Sequence, residues 1–257
     1  FEFLKSGLQG NDEAMQNYFK PFWKNEVFSV DSRSYEKNRK PMMVSTFSSK
    51  GCVAKCTFCQ RGSKGYRVYD LSKLENFLKQ VTENYNVGFL LLNDENFGTN
   101  KKYSYQCAEL FQKYNLLWWA AGVRCTNVVK EDIVHYKTNG CCGLKFGIES
   151  GSQTMLDIME KKFKVEDIKK AIFTCYDNDL YSPPVGYLLG MPGESMKTAM
   201  ETGKMMGEIS ARIGISPGLI FGVIDPYYAI PLVGTPLYEY GRQLGLIGQN
   251  IDEEEKY

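Results

Sequence analysis

The chain has 257 residues, 43% apolar and 14% aromatic, and its 31 Lys and Arg against 30 Asp and Glu give a formal net charge of +1. That length suits one large domain or barrel with a sizeable core. The balanced charge creates no field favouring nucleic acid or acidic lipid, so neither is expected as a partner. The longest apolar stretch, 116–123, falls far short of the about 20 residues that span a bilayer, so no membrane partner is expected. The first residues lack the basic-then-apolar order of a secretory signal. The chain begins at Phe1 rather than Met, and further upstream sequence is expected. Eight cysteines without an export signal point to free thiols and metal ligation in a reducing cytoplasm rather than to disulfides.

Residues 1–40 are rich in Asn, Lys and aromatics and carry no usable periodicity. They read as an N-terminal extension or linker. A strand is predicted over 42–47. Leu71, Leu74, Phe77, Leu78 and Val81 recur at helical spacing, predicting a helix over 71–85. The continuous apolar run at 88–92 suits a buried parallel strand. The pattern continues with a helix over 103–114, a strand over 116–121, and a helix over 130–138 stopped by Asn139-Gly140. It goes on with a strand over 143–148, a helix over 165–177, a strand over 184–189, a helix over 196–213, a strand over 219–224 and a last helix over 237–244. Six βα units at crossover spacing imply an α/β fold of parallel strands. Six are too few to close an eight-stranded barrel. The expected architecture is therefore a partial (β/α)6 TIM-like barrel over 41–246, with a charged tail over 247–257.

Directly after the first predicted strand comes Ser49-Lys-Gly-Cys-Val-Ala-Lys-Cys-Thr-Phe-Cys-Gln-Arg-Gly62, with Cys52, Cys56 and Cys59 in C-x3-C-x2-C spacing. In parallel α/β barrels the chemistry collects at the C-terminal ends of the strands, so the position fits a site. Structural zinc takes four closed ligands, and this loop offers three. The sole histidine, His135, lies on a predicted helix beside Ile133 and Val134 and reads as structural. A distant fourth ligand from Cys107, Cys125, Cys141, Cys142 or Cys175 stays open, although all five also read as buried hydrophobic thiols. Thiolates in tight spacing also hold iron–sulfur clusters, and three on a four-iron cubane leave one iron open.

With Phe58 in front of the third cysteine, Cys-Val-Ala-Lys-Cys-Thr-Phe-Cys resembles the C-x3-C-x-aromatic-C signature of radical S-adenosylmethionine enzymes. The resemblance implies a [4Fe–4S] cluster on Cys52, Cys56 and Cys59. It also implies S-adenosylmethionine chelated on the open iron and cleaved reductively, giving a 5′-deoxyadenosyl radical that takes hydrogen from a substrate the sequence does not name. Later strand ends extend it. At Asn93-Asp-Glu-Asn96, Asp94 or Glu95 can accept from the cofactor's amino group; with Asn96 and Thr99 the stretch also reads as a helix cap. Arg124, in Gly-Val-Arg-Cys, can pair with a carboxylate or serve substrate or structure. Phe146-Gly-Ile-Glu-Ser-Gly-Ser-Gln-Thr-Met-Leu-Asp-Ile-Met-Glu-Lys161 resembles the fourth-strand region of the Elp3/MiaB-like branch, including cobalamin-binding radical enzymes. There Glu149 and Ser150 are placed at the ribose, or Glu149 in a buried ion pair. Gly186-Tyr-Leu-Leu-Gly-Met-Pro-Gly-Glu194 fits the branch's glycine-rich pattern and places Gly190 at adenine, and Phe58 is counted with the cofactor contacts.

Pro231-Leu-Val-Gly-Thr-Pro-Leu-Tyr238 reads as a rigid turn, while Tyr227 and Tyr228 are candidates to face substrate. Lys50, Lys55, Arg61, Lys64 and Arg67 surround the cluster loop and read either as a solvated face or as a dock for an acidic electron donor such as flavodoxin or ferredoxin. Cobalamin stays open as a further cofactor, because the branch carries it on a separate N-terminal domain whose Asp-x-His-x-x-Gly motif does not occur in this chain. A methylthiotransferase-like enzyme and a non-catalytic iron–sulfur or zinc scaffold are the alternatives.

Overall fold

A computed structural model describes residues 20–21, 31–36, 39–60, 65–183, 186–214 and 226–248. In chain order the strands are β1 (Lys20–Pro21), β2 (Met42–Thr46), β3 (Ser49–Lys50), β4 (Arg67–Val68), β5 (Val87–Leu92), β6 (Leu117–Val123), β7 (Cys141–Phe146), β8 (Tyr187–Leu189) and β9 (Pro226–Tyr228). The helices are α1 (Leu71–Asn84), α2 (Lys101–Lys113), α3 (Lys130–Thr138), α4 (Gln153–Ile158), α5 (Val165–Tyr176), α6 (Met196–Ile213) and α7 (Pro236–Gln243), and a 3-10 turn spans Ser32–Tyr35.

Strands β2, β5, β6 and β7 pair in parallel in that order. Parallel bridges Gly143↔Tyr181 and Glu149↔Tyr187 carry the sheet onward to β8, which pairs in parallel with β9. Six parallel strands follow one another in chain order, as the βα pattern implies. The other edge of β2 is taken by antiparallel β1, so the wall does not close there and the barrel is partial. Because all six strands run the same way, their C-terminal ends open on one mouth.

The helices start where their side chains satisfy free backbone donors. Asp70 accepts from Ser72 N and Lys73 N at the start of α1, Asn100 from Tyr103 N at α2, Ser195 from Thr198 N at α6 and Thr235 from Tyr238 N at α7. Pro236 at the first turn of α7 confirms Pro231 to Tyr238 as a turn that launches a helix. Between β6 and its covering helices, Phe97, Phe111, Trp118 and Tyr136 form a tilted aromatic cluster with centroids 5.5–5.7 Å apart. Such pairs contribute about 0.5–1.5 kcal/mol each beyond buried area.

Two sequence expectations shift. The strand expected over 143–148 is Cys141–Phe146, because both cysteines are buried and pack as small hydrophobes. The N-terminal stretch also reaches the barrel. Arg33, paired with Asp31 at 2.6 Å, donates to the backbone oxygens of Lys137 and Cys141 at the floor opposite the mouth. The strand expected over 219–224 lies outside the described residues, and β9 stands in the sixth position.

Gly122 has φ +66, and a Cβ there would sit 2.0 Å from Asp94 O. Gly122→Ala is expected to lower stability by more than the about 1–3 kcal/mol of ordinary overpacking. Gly207→Ala on α6, where a Cβ meets nothing within 4 Å, is expected to raise it by about 0.5–1 kcal/mol. Thermal unfolding of the two variants checks the pair; equal and opposite small shifts would contradict the close approach at Gly122.

Candidate active site

The cysteine loop leaves β2, and its two flanks are joined by the short β3–β4 ribbon. Its apex is tied down by the end of α4, the start of α7 and the turn before α7. Thr57 N donates to Met159 O at 3.1 Å, Thr57 Oγ1 to Ile158 O at 3.0 Å, and Leu237 N to Thr57 O at 3.0 Å. Gln60 Nε2 reaches Val233 O at 2.9 Å. Phe58 packs beside Met155, Met159, Met191 and Leu237. The loop is thereby held to α4 and to the turn before α7, with Cys52 and Cys56 half-buried and Cys59 exposed.

The donor set fits an iron–sulfur cluster. Burial first, then the neighbouring Cys56 and Cys52 and the charge of Glu95, push the Cys59 thiol above its ordinary value, and Lys161 opposes them. Three soft thiolate donors close together in one loop are the ligand chemistry of an iron–sulfur cluster. The cysteines once open as distant fourth ligands are buried in the core. Burial pushes the thiols of Cys107, Cys125 and Cys175 up to about 12 and that of Cys141 well above its usual value. His135 stacks on Tyr105 at 3.9 Å between centroids, as a structural histidine does. Among the described residues no three His, Cys, Asp or Glu side chains converge on a position for a single metal ion.

The other predicted site residues divide. Asp94 is buried, and its carboxylate already accepts from Ser48 N at 2.7 Å, Ser48 Oγ at 2.6 Å and Ser49 Oγ at 2.5 Å. Three of its roughly four acceptor sites are engaged, and it anchors the chain entering the cysteine loop. Glu95 is exposed, and its charge reaches Cys59. Glu149 lies in the buried ion pair that the sequence offered as its alternative, with Lys161 Nζ 2.5 Å away. Its backbone has φ 58, which costs a non-glycine residue about 1–3 kcal/mol. Bonds from Glu149 N to Gly186 O at 3.0 Å and from Leu188 N to Glu149 O at 2.9 Å hold it there. Arg124 donates to Lys161 O through Nη2 and lies over the Phe163 ring at 5.4 Å. Ser150 is buried, facing Thr202 Oγ1 at 3.2 Å.

Gly190, at φ +83, opens on an apolar groove of 700 Å³ shared with Met191, Ile230, Val233, Leu237 and Tyr240. Lys161 was not singled out from the sequence. It is 5% exposed, with its Nζ 6.0 Å from the Phe58 ring and 5.2 Å from the Phe163 ring. It links the cluster loop to Glu149 and Arg124 at neighbouring strand ends. The signal available was its place at the end of the fourth-strand motif.

A family model described as the radical SAM superfamily matches residues 46–206. The chain belongs to the radical SAM superfamily. Members use a [4Fe–4S] cluster and S-adenosylmethionine. The anaerobic magnesium-protoporphyrin IX monomethyl ester cyclase of Rubrivivax gelatinosus is 26% identical over 162 residues, covering 61% of this chain and 29% of the cyclase. The bacteriochlorophyllide d C-8(2)-methyltransferase of Chlorobaculum tepidum is 24% identical over 235 residues, covering 83% and 47%. Among solved structures, the radical S-adenosylmethionine methyltransferase TsrM of Kitasatospora setae superposes with a TM-score of 0.62 at 15% identity, covering 88% of this chain and 45% of that one. The cobalamin-dependent radical enzyme OxsB superposes at 0.61 with 14% identity, covering 82% and 37%. This chain spans less than half the length of each of these four.

Lys161→Met leaves the Glu149 carboxylate without its cation. The expected loss is near the lower end of the about 3–5 kcal/mol for breaking a buried pair, because Glu149 keeps 18% of its side chain exposed. Adding Glu149→Gln should recover most of it. Denaturant unfolding of both single variants and the double variant checks this; strictly additive losses would show that the pair is not coupled.

Proposed function

We propose that residues 41–246 form the catalytic core of a radical S-adenosylmethionine enzyme in which Cys52, Cys56 and Cys59 hold the cluster. The observation that carries this reading is a three-cysteine loop with no fourth ligand of its own, anchored at the one mouth on which the other parallel strands open. When bound, the cluster and S-adenosylmethionine supply a 5′-deoxyadenosyl radical. Glu95 accepts from the cofactor's amine. Glu149, fixed by Lys161 and by its backbone bonds, faces the ribose with Ser150 beside it. Gly190, without a side chain, lets adenine approach the backbone.

The groove beyond Gly190 has no charged lining and suits an apolar substrate face. Two relatives are named for work on a magnesium protoporphyrin and a bacteriochlorophyllide, and OxsB is cobalamin-dependent. We infer methyl transfer or ring closure at a carbon of a large apolar substrate, with cobalamin carried outside 41–246. The electron arrives from an acidic donor of the flavodoxin or ferredoxin kind at exposed Lys50, Lys55 and Arg67; Arg61 and Lys64 lie outside the described residues.

Anaerobic reconstitution followed by reduction with dithionite is expected to give 5′-deoxyadenosine from S-adenosylmethionine. Cys56→Ala is expected to lose both cluster and product. An intact, reduced cluster that yields no product would contradict the reading. Charge reversal at Lys50, Lys55 and Arg67 together is expected to slow reduction by flavodoxin several-fold and leave reduction by dithionite unchanged, as stopped-flow absorbance would show. Equal rates with flavodoxin would remove the docking face.

A further inference from the structure

Cys52 differs from the other two cysteines in what surrounds its sulfur. Of the N–H···S bonds within this loop and its contacts, the described residues direct two at Cys52 Sγ, one from Ala54 N at 3.4 Å and one from Asn96 Nδ2 at 3.3 Å. The first belongs to the loop itself. The second comes from beyond the end of β5, from a side chain that is 1% exposed. Burying a carboxamide is costly unless its donors and acceptor are satisfied, and here they are satisfied in one direction only. Asn96 Oδ1 accepts from Asn127 Nδ2 at 2.9 Å, and the same Asn127 amide donates to Thr99 Oγ1 at 3.2 Å.

A metal-bound thiolate is an acceptor and carries no proton to give. It therefore requires the NH2 end of Asn96, not the oxygen. That leaves Oδ1 facing Asn127, which must then present its own NH2 group. The polarity of the whole chain Thr99–Asn127–Asn96–Cys52 follows from the sulfur. Both supports are rigid: Phe97 bridges in parallel to Val123, and Asn127 N donates to Arg124 O at 2.9 Å. The amide is thus preset rather than recruited.

We propose that Asn96, oriented by Asn127, donates to the cluster-bound Cys52 thiolate and raises the cluster's reduction potential. The inference deepens the proposed function and rests on Cys52 being a cluster ligand. Hydrogen bonds to the sulfurs and exclusion of solvent are among the properties that set iron–sulfur potentials. A donor beside the thiolate stabilises the reduced, more negative cluster more than the oxidised one, so its sign is upward. Asn96 does not touch the reacting atoms; it is a positioning residue acting through Cys52. Outside the loop, Cys142 Sγ lies 4.0 Å from Arg33 Nη2, but that cysteine is a buried core thiol at the opposite end of its strand.

The test is a redox titration of the anaerobically reconstituted protein, followed by electron paramagnetic resonance, with iron content measured alongside. Asn96→Leu keeps the bulk and removes the donor. At a fixed solution potential its ratio of reduced to oxidised cluster is expected to fall about tenfold, equivalent to about 59 mV for one electron. Asn127→Ala leaves Asn96 in place but frees its amide, and a smaller fall of the same sign is expected. Full iron content with an unmoved potential in Asn96→Leu would overturn the proposal. Should Asn96→Leu fail to load, Asn127→Ala decides in the same way. A wild-type protein that assembles no [4Fe–4S] cluster would bring down the cluster reading and the relay with it, whereas a loaded wild type beside unmoved variants brings down the relay alone.

Discussion

Three thiolates gathered in one short loop concentrate negative charge at a single strand end, and the mouth of this barrel is arranged around that charge. Asp94 is engaged by Ser48 and Ser49. Its neighbour Asn96, neutral and a donor, faces Cys52 instead. Lys161, a buried cation, stands over Phe58 and Phe163 and is itself balanced by Glu149. These groups come from the connections after β2, β5 and β7, which meet because those strands are parallel and end at the same face.

Much of the fold was legible because buried parallel strands read as continuous apolar runs and their helices as amphipathic ones. The helix over Lys130–Thr138, expected from its Asn139-Gly140 stop, and the helix over Met196–Ile213 fall within the expected bounds. What escaped is short or lacks a pattern. The ribbon of Ser49–Lys50 with Arg67–Val68 has two residues on each side, too few for any alternation to register. Helix Gln153–Ile158 has six residues and no side-chain cap; it forms because Met155 and Leu156 are buried, not because its sequence announces a start.

The site was legible in part. The cysteine loop can be read from spacing alone, since its ligands are local. Pairings made across the mouth cannot. Glu149 and Lys161 are separated by α4, and Asn96 and Asn127 belong to different strand ends, so no local pattern joins either pair. The same distance hides what neighbouring loops do to Asp94 and Arg124, which Ser48, Ser49 and the Lys161 carbonyl engage from other parts of the chain.

The central claim is that one iron of the cluster is left for S-adenosylmethionine. Electron–nuclear double resonance on the reduced, reconstituted protein with S-adenosylmethionine labelled by 15N in its amino group and 17O in its carboxylate addresses that iron directly. The account predicts resolved couplings from both labels in the wild-type protein. A loaded, reduced cluster that shows neither coupling with the cofactor in excess would contradict it.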